Sequence, residues 1–200
     1  MRVFAFLLLI FLFGCKNYNS EEFNAIQDFT NEYLLTKHLP EILDLIPPPP
    51  PGVMALQKSK PNIDPLDFKV YISDALLPIA QIKKDNRNLF NKTLKSTKSD
   101  NVFKAITKSH RFTNLGYREI EKSKIHLSKP YREIFDIQSE IKENDEYVEF
   151  YFSRVCFDTD YNYGLIFVNY NVFRNGMGTG QIGIYLIHKV NSKWKIEFEE

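Results

Sequence analysis

Few residues in this sequence are of types and spacings that could do chemistry, and each also fits a humbler role. Asp158-x-Asp160-x-Asn162 has the alternate oxygens that begin a calcium loop. Its later positions fail: Tyr163 stands where the loop needs glycine, and Asn169 stands where a bidentate Glu belongs. A turn between strands accounts for the same residues. Gly176-x-Gly178-x-Gly180 has the spacing of a phosphate cradle, but such a loop must open a helix whose amides hold the anion, and this one leads into a strand pattern. It reads as a glycine hairpin or bulge. Ser139-x-x-Lys142 pairs a nucleophile with a base, without the companion Ser-Asp-Asn and Lys-Thr-Gly stretches that such a site needs. His38, His110, His126 and His188 are scattered, with no metal-ligand spacing. Cys156 lies in an apolar strand run, as a small buried hydrophobe does. The sequence therefore assigns no catalytic, cofactor-binding or metal-binding residue, and it implies no cofactor.

The N-terminus carries the strongest local signal. Arg2 is followed by an apolar run, Val3 to Phe13, too short for a permanent span and right for a secretory h-region. Leu12-Phe13-Gly14-Cys15 resembles the lipobox of bacterial lipoproteins. That resemblance implies that residues 1–14 are a signal peptide, that Cys15 is acylated as the mature N-terminus, and that 15–20 is a lipidated tether. Lys16 stands where the family's inner-membrane retention signal carries Asp, so the expected location is the cell envelope, at the outer membrane. With Cys15 acylated, Cys156 has no intrachain partner. The membrane is then a partner through acyl chains and not through charge, because Lys+Arg number 26 against 25 Asp+Glu. That balance also leaves no dense basic face for nucleic acid.

The elements that would position any site are clearest at the C-terminus. Lys193 to Glu199 alternates, with Trp194, Ile196 and Phe198 on one side. Gln181 to Val190 precedes it, and Asn191-Ser192 between them predicts a tight hairpin. Tyr163 to Phe173 is apolar on both parities, as suits a central strand covered on both faces, or covered on one face and aromatic-lined on the other. Tyr147 to Phe157 is rich in β-favouring residues. These strands predict a meander. Upstream, Phe23, Ile26, Phe29, Tyr33 and Leu34 predict an amphipathic helix, capped by Ser20 and running to about His38, with another turn over 41–46. Pro47 to Pro51, closed by Gly52, predicts a polyproline spacer over 47–52. Phe68, Val70 and Ile72 predict a first strand. Ala75 to Ile79 reads as an apolar loop, and residues 83–100 as a short helix and an exposed loop. A further helix follows Ser99-Asp100 through Val102, Phe103 and Ile106. Between Arg118 and Lys142 strand and helix spacings compete, and the segment stays open. The fold class is α+β: N-terminal helices packed on a mainly antiparallel sheet that ends in a C-terminal β-meander, with residues 21–200 as a single domain.

The stretches Tyr71 to Leu76, Phe152-Ser153, Tyr163 to Ile166, Gly180 to Leu186 and Lys189 to Ile196 resemble small envelope lipoproteins of unknown function from Bacteroidetes. The Lys-x-Asn-x-Lys-Trp-Lys-Ile ending is similar to that of cystatin-like and NTF2-like domains, which implies a helix on a curved antiparallel sheet and brings no activity with it. Two functional expectations follow. One is a non-enzymatic binding or interaction lipoprotein with an envelope protein as partner, using an aromatic sheet face (Tyr147, Tyr151, Tyr163, Tyr170, Tyr185). The other is a small ligand-binding or hydrolytic domain of the NTF2-like or cystatin-like kind, with a pocket between helix and sheet where Cys156, Asp158, Asp160 and His188 would converge.

Overall fold

The computed structural model describes residues 18–45, 66–96, 99–142 and 145–197. The signal peptide expected over 1–14, the acylated Cys15 and the polyproline spacer over 47–52 lie outside the described residues.

Helix α1 (Tyr18–Tyr33) begins earlier than the Ser20 cap predicts. The reason is an anchor: the Tyr18 hydroxyl donates to the Val155 carbonyl, and its ring meets Phe157 edge-on with centroids 5.4 Å apart. Its buried face is Glu22, Ala25, Ile26, Phe29, Thr30 and Tyr33. The chain stays helical beyond Tyr33 but widens into a π-turn over Leu34–His38 before α2 (Leu39–Leu45). There the Leu39 N–H reaches the Leu34 carbonyl. Pro40 explains the widening: it has no N–H to donate to the turn before it, and its ring would crowd that turn's carbonyl. The wider turn carries His38 into the core beside Tyr131.

Among the described residues nine strands follow: β1 (Phe68–Ile72), β2 (Ala75–Leu76), β3 (Arg118–Glu119), β4 (Tyr131–Ile134), β5 (Tyr147–Phe152), β6 (Cys156–Phe157), β7 (Tyr163–Arg174), β8 (Met177–Val190) and β9 (Lys193–Ile196). The large sheet runs β4-β1-β5-β7-β8-β9, with β6 also on β7; β2 and β3 form a small antiparallel pair. The predicted meander is present, since β5, β7, β8 and β9 are successive antiparallel neighbours. Both of its predicted hairpin turns have the positive φ angles they need, at Asn175-Gly176 and at Asn191-Ser192.

The sheet is mixed, which corrects the expectation of a mainly antiparallel one. β1 lies between β4 and β5 and is parallel to both. Parallel pairing needs a long crossover. The stretch between β1 and β5 supplies it: α3 (Ile79–Asp85), α4 (Arg87–Ser96), α5 (Asp100–Lys108) and α6 (His110–Asn114), then β3, a 3-10 turn, β4 and α7 (Ile137–Glu140). The loops expected over 75–79 and in the later part of 83–100 are thus largely β2, α3 and α4.

The helices cover the sheet unequally. On one face α1 and α2 close a core of Ile26, Phe29, Leu34, Val70, Phe150, Phe152, Val168 and Trp194. On the other, α3 to α6 cover only one end, where Leu165 and Phe167 of β7 and Ile184 and Leu186 of β8 meet Ile79, Phe90, Phe103, Ile106 and Phe112. Each such large side chain, fully buried, contributes roughly 1.5–3 kcal/mol. Among the described residues the other end of that face is bordered only at its margin, by the single turn of α7, whose Glu140 carbonyl accepts from Lys69.

Candidate functional site

The uncovered end of the sheet is a grid fixed by strand register. One row across it is Lys69, Tyr147, Phe173 and Gly178; the next is Tyr71, Glu149, Asn171 and Gly180; the third is Tyr151, Asn169 and Ile182. Alternation puts all of these on one face, because their odd or even neighbours (Val70, Val148, Phe150, Tyr170, Val172) point into the α1 core. Glu149 occupies the middle: Tyr147 and Tyr151 flank it along β5, Tyr71 on β1, and Asn171 on β7.

Glu149 is 7% exposed, and no lysine or arginine pairs with it among the described residues. The Tyr151 hydroxyl donates to its Oε2 at 3.2 Å, and the Asn171 side chain also binds it. Burial pushes its carboxyl above the usual range, against the pull of those two hydrogen bonds. The surrounding hydroxyls feel the same negative field. Burial first and then Glu149 hold Tyr147 up and push Tyr151 up to about 12; Tyr71 is raised by burial, then Asp74, Glu149 and Asp136.

The rings are ordered by contact. Tyr147 and Phe173 stack with centroids 4.6 Å apart and planes 5° from parallel. Tyr71 and Tyr151 lie 6.4 Å apart. Lys122 sets its ammonium 4.5 Å from the centre of the Tyr71 ring, so the face already holds one cation by its π-electrons. Glycine leaves room on β8: a Cβ on Gly178 would meet the Phe173 ring at 2.7 Å, and one on Gly180 the Asn171 Oδ1 at 2.1 Å. Next to the stacked pair, a cavity of about 350 Å³ is bounded by Ile137, Ile141, Asp145, Tyr147, Phe173 and Gly176.

Of the aromatic face expected from sequence, Tyr147 and Tyr151 are here. Tyr170 and Tyr185 are on the opposite face, packed with Tyr33, and Tyr163 borders the core under α3 to α6. Tyr71, Glu149, Asn171 and Phe173 were not singled out from sequence. One signal did mark Glu149: it is the sole charge in the Tyr147–Phe152 run.

The other chemical candidates do not converge. Cys156 is fully buried beneath Ser109 Oγ, 3.9 Å away, and burial pushes its thiol up to about 11. Asp158 Oδ1 accepts the Asn162 and Tyr163 amides at 2.9 and 3.1 Å, which closes the turn into β7; Asp160 is exposed. The carboxylate that a calcium ion would need first is spent on backbone amides. His188 sits on β8 beside Tyr163, with Nδ1 buried and unpartnered. Ser139 donates to Asp136 at 2.7 Å, as part of the start of α7, away from any base role. Gly176 and Gly178 belong to the β7–β8 hairpin, as expected. Among the described residues no three metal-ligating side chains come together. Spaces between helix and sheet do exist among the described residues: one of about 100 Å³ bounded by Tyr33, Lys37, Glu41, Tyr170 and Gln181, and one of about 330 Å³ bounded by Ile106, His110, Arg111, Phe157 and Asp158.

A second buried carboxylate sets the scale for Glu149. Glu22 is fully buried and accepts from Arg154 Nε at 2.8 Å, Arg118 at 2.8 Å and the Val155 amide at 2.9 Å. Arg154 in turn donates to the Gly116 carbonyl at 2.8 Å. That cluster ties α1 to β3 and to the bend after β5, and every oxygen in it is used.

No protein-family model matches this sequence, no curated protein matches it, and no solved structure matches the fold. Among the described residues no helix is long and apolar enough to cross a membrane.

Proposed function

We propose that this is a lipid-anchored binding protein of the cell envelope, held at the outer membrane by acyl chains on Cys15, and that its uncovered sheet end binds an ammonium group, that of a lysine on an envelope partner protein. One observation carries the binding reading: a carboxylate nearly removed from water, without a cation of its own, at the centre of three tyrosine rings. Aromatic faces attract organic cations, and a desolvated carboxylate strengthens that pull. Lys122 over Tyr71 is the same interaction made within the chain. The anchor reading rests on the lipobox residues Leu12 to Cys15.

The pocketed alternative, an NTF2-like or cystatin-like hydrolase, has less to support it. Among the described residues no hydrogen bond joins its four candidates, and although Asp158 lines a cavity of about 330 Å³ beside α5 and α6, within the ~300–1,000 Å³ of ordinary ligand sites, its Oδ1 is taken up by the Asn162 and Tyr163 amides.

The test is calorimetric titration of the full-length protein with a short lysine peptide, with tetramethylammonium and an uncharged sugar as controls. Lysine-peptide binding that weakens at least tenfold in Glu149→Gln and in Tyr151→Ala supports the reading. Sugar binding that survives Glu149→Gln, or no binding of any cation, overturns it. For the anchor, Cys15→Ala should leave the membrane fraction; retention there overturns that part.

A further inference from the structure

β8 is longer than the strand beyond it. β9 pairs only with Ile187–Val190, and among the described residues no strand lies against the rest of that edge. From Met177 to Ile182 every residue is exposed. The hydrogen bonding fixes which backbone groups face outward there. The Lys189 amide reaches back to the Asn162 carbonyl, next to β7, while the Leu186 carbonyl accepts from Glu197 on the far side. The β7–β8 register is unbroken from Tyr163↔His188 to Arg174↔Met177, so no bulge reverses the alternation. Even-numbered residues therefore turn their N–H and C=O groups away from β7. On the free stretch these are Gly178, Gly180 and Ile182.

Exposed edges are normally blunted by charge, proline, a bulge or a cover. Among the described residues this edge has none of them, and Met177 to Leu186 contains no charged residue and no proline. Ile182 adds an apolar side chain 51% exposed, and Met177 one 73% exposed. An edge strand brought beside its own copy by a two-fold axis pairs antiparallel and matches itself. Because the stretch is uncharged, two copies meet without like charges opposite one another.

We infer that the Met177–Ile182 edge of β8 pairs with the same edge of a second copy, joining two sheets into one continuous sheet. The two-fold axis stands perpendicular to that sheet, so both Glu149 faces look out on the same side. This pairing does not depend on the ammonium reading of that face.

The test is sedimentation of the full-length protein in detergent micelles, joined to amide hydrogen exchange. The expected result is a dimer in which the Gly180 and Ile182 amides are protected. Ile182→Pro removes one outward N–H and leaves the β7 side intact, a placement that edge strands accept. It should give a folded monomer. Thr179→Lys with Gln181→Lys puts like charges along the seam and should do the same. A monomeric wild type overturns the inference, as does a dimer that survives Ile182→Pro, or Gly180 and Ile182 amides that exchange freely in the dimer.

Discussion

Glu22 and Glu149 are both carboxylates taken out of water, and the two regions treat them in opposite ways. Glu22 sits where α1, β3 and the bend after β5 meet, and two guanidinium groups and a backbone amide answer it. Glu149 sits at the end of a face that α3 to α6 leave open, answered by a tyrosine hydroxyl and a carboxamide. A buried charge without its counter-charge is costly. In the first region the chain supplies the counter-charge, and the result is a clamp. In the second it supplies none among the described residues, and the ammonium proposal rests on that difference.

The comparison is easiest to break at Glu22. Glu22→Gln leaves two arginines without their carboxylate and should cost about 3–5 kcal/mol, read from urea unfolding. A loss under about 1 kcal/mol would mean that the cluster is no clamp.

His38 is a third buried ionisable group, fully out of solvent, and it tests whether the core tolerates new charge. Its Nδ1 lies 2.9 Å from the Tyr131 hydroxyl, and its Nε2 is buried without a partner. Burial, then Arg174, lowers its pKa from 6.5 to about 4. The unfolded chain thus takes up a proton that the folded one refuses. Stability is full above about 6.5 and falls as the pH drops towards 4, by about 3 kcal/mol in all. His38→Gln should abolish that component of the slope. Glu133 works against it: burial raises its carboxyl to about 7, so it takes stability away as the pH rises through the same range. The difference between wild type and His38→Gln, not the raw wild-type curve, is the quantity to measure.

Glu149→Gln should have the opposite sign to Glu22→Gln. It removes a charge that the fold leaves unpaired, so it should stabilise by about 1 kcal/mol once water on the open side is allowed for. The gain should appear at pH 8 and vanish in acid, where the raised carboxyl is already protonated. Gly180→Ala should have an effect of similar size. Its new Cβ displaces the Asn171 carboxamide and takes one hydrogen bond from Glu149, worth about 0.5–1.5 kcal/mol. An NMR titration should show the Glu149 carboxyl rising further. An unmoved titration would separate Asn171 from Glu149.

Much of the fold was legible because it rests on local periodicity. The α1 stripe, the β1 alternation, the C-terminal meander and the Asn191-Ser192 turn each follow from side chains a few residues apart. The parallel place of β1 was not legible. Phe68-Lys69-Val70-Tyr71-Ile72 alternates equally well in either direction, and only the crossover through the mid-chain helices decides it. The second helical layer was read partly as loop for a related reason. Leu89 and Phe90 are sparse anchors among polar residues, and they pack only because Ile184, Leu186 and Phe167 come to meet them.

The sequence by itself determined which side chains share a face within each strand and where the hairpins turn. Those properties depend on neighbours along the chain. Tertiary structure decided which faces are covered. Tyr147 and Tyr170 are both tyrosines on strands of the same sheet, yet one flanks the Glu149 carboxylate and stacks on Phe173, and the other lies under α1. It also decided which buried carboxylate finds arginine. Arg118 and Arg154 are distant from Glu22 in sequence, and charge pairing at that separation exists only once the chain has closed on itself.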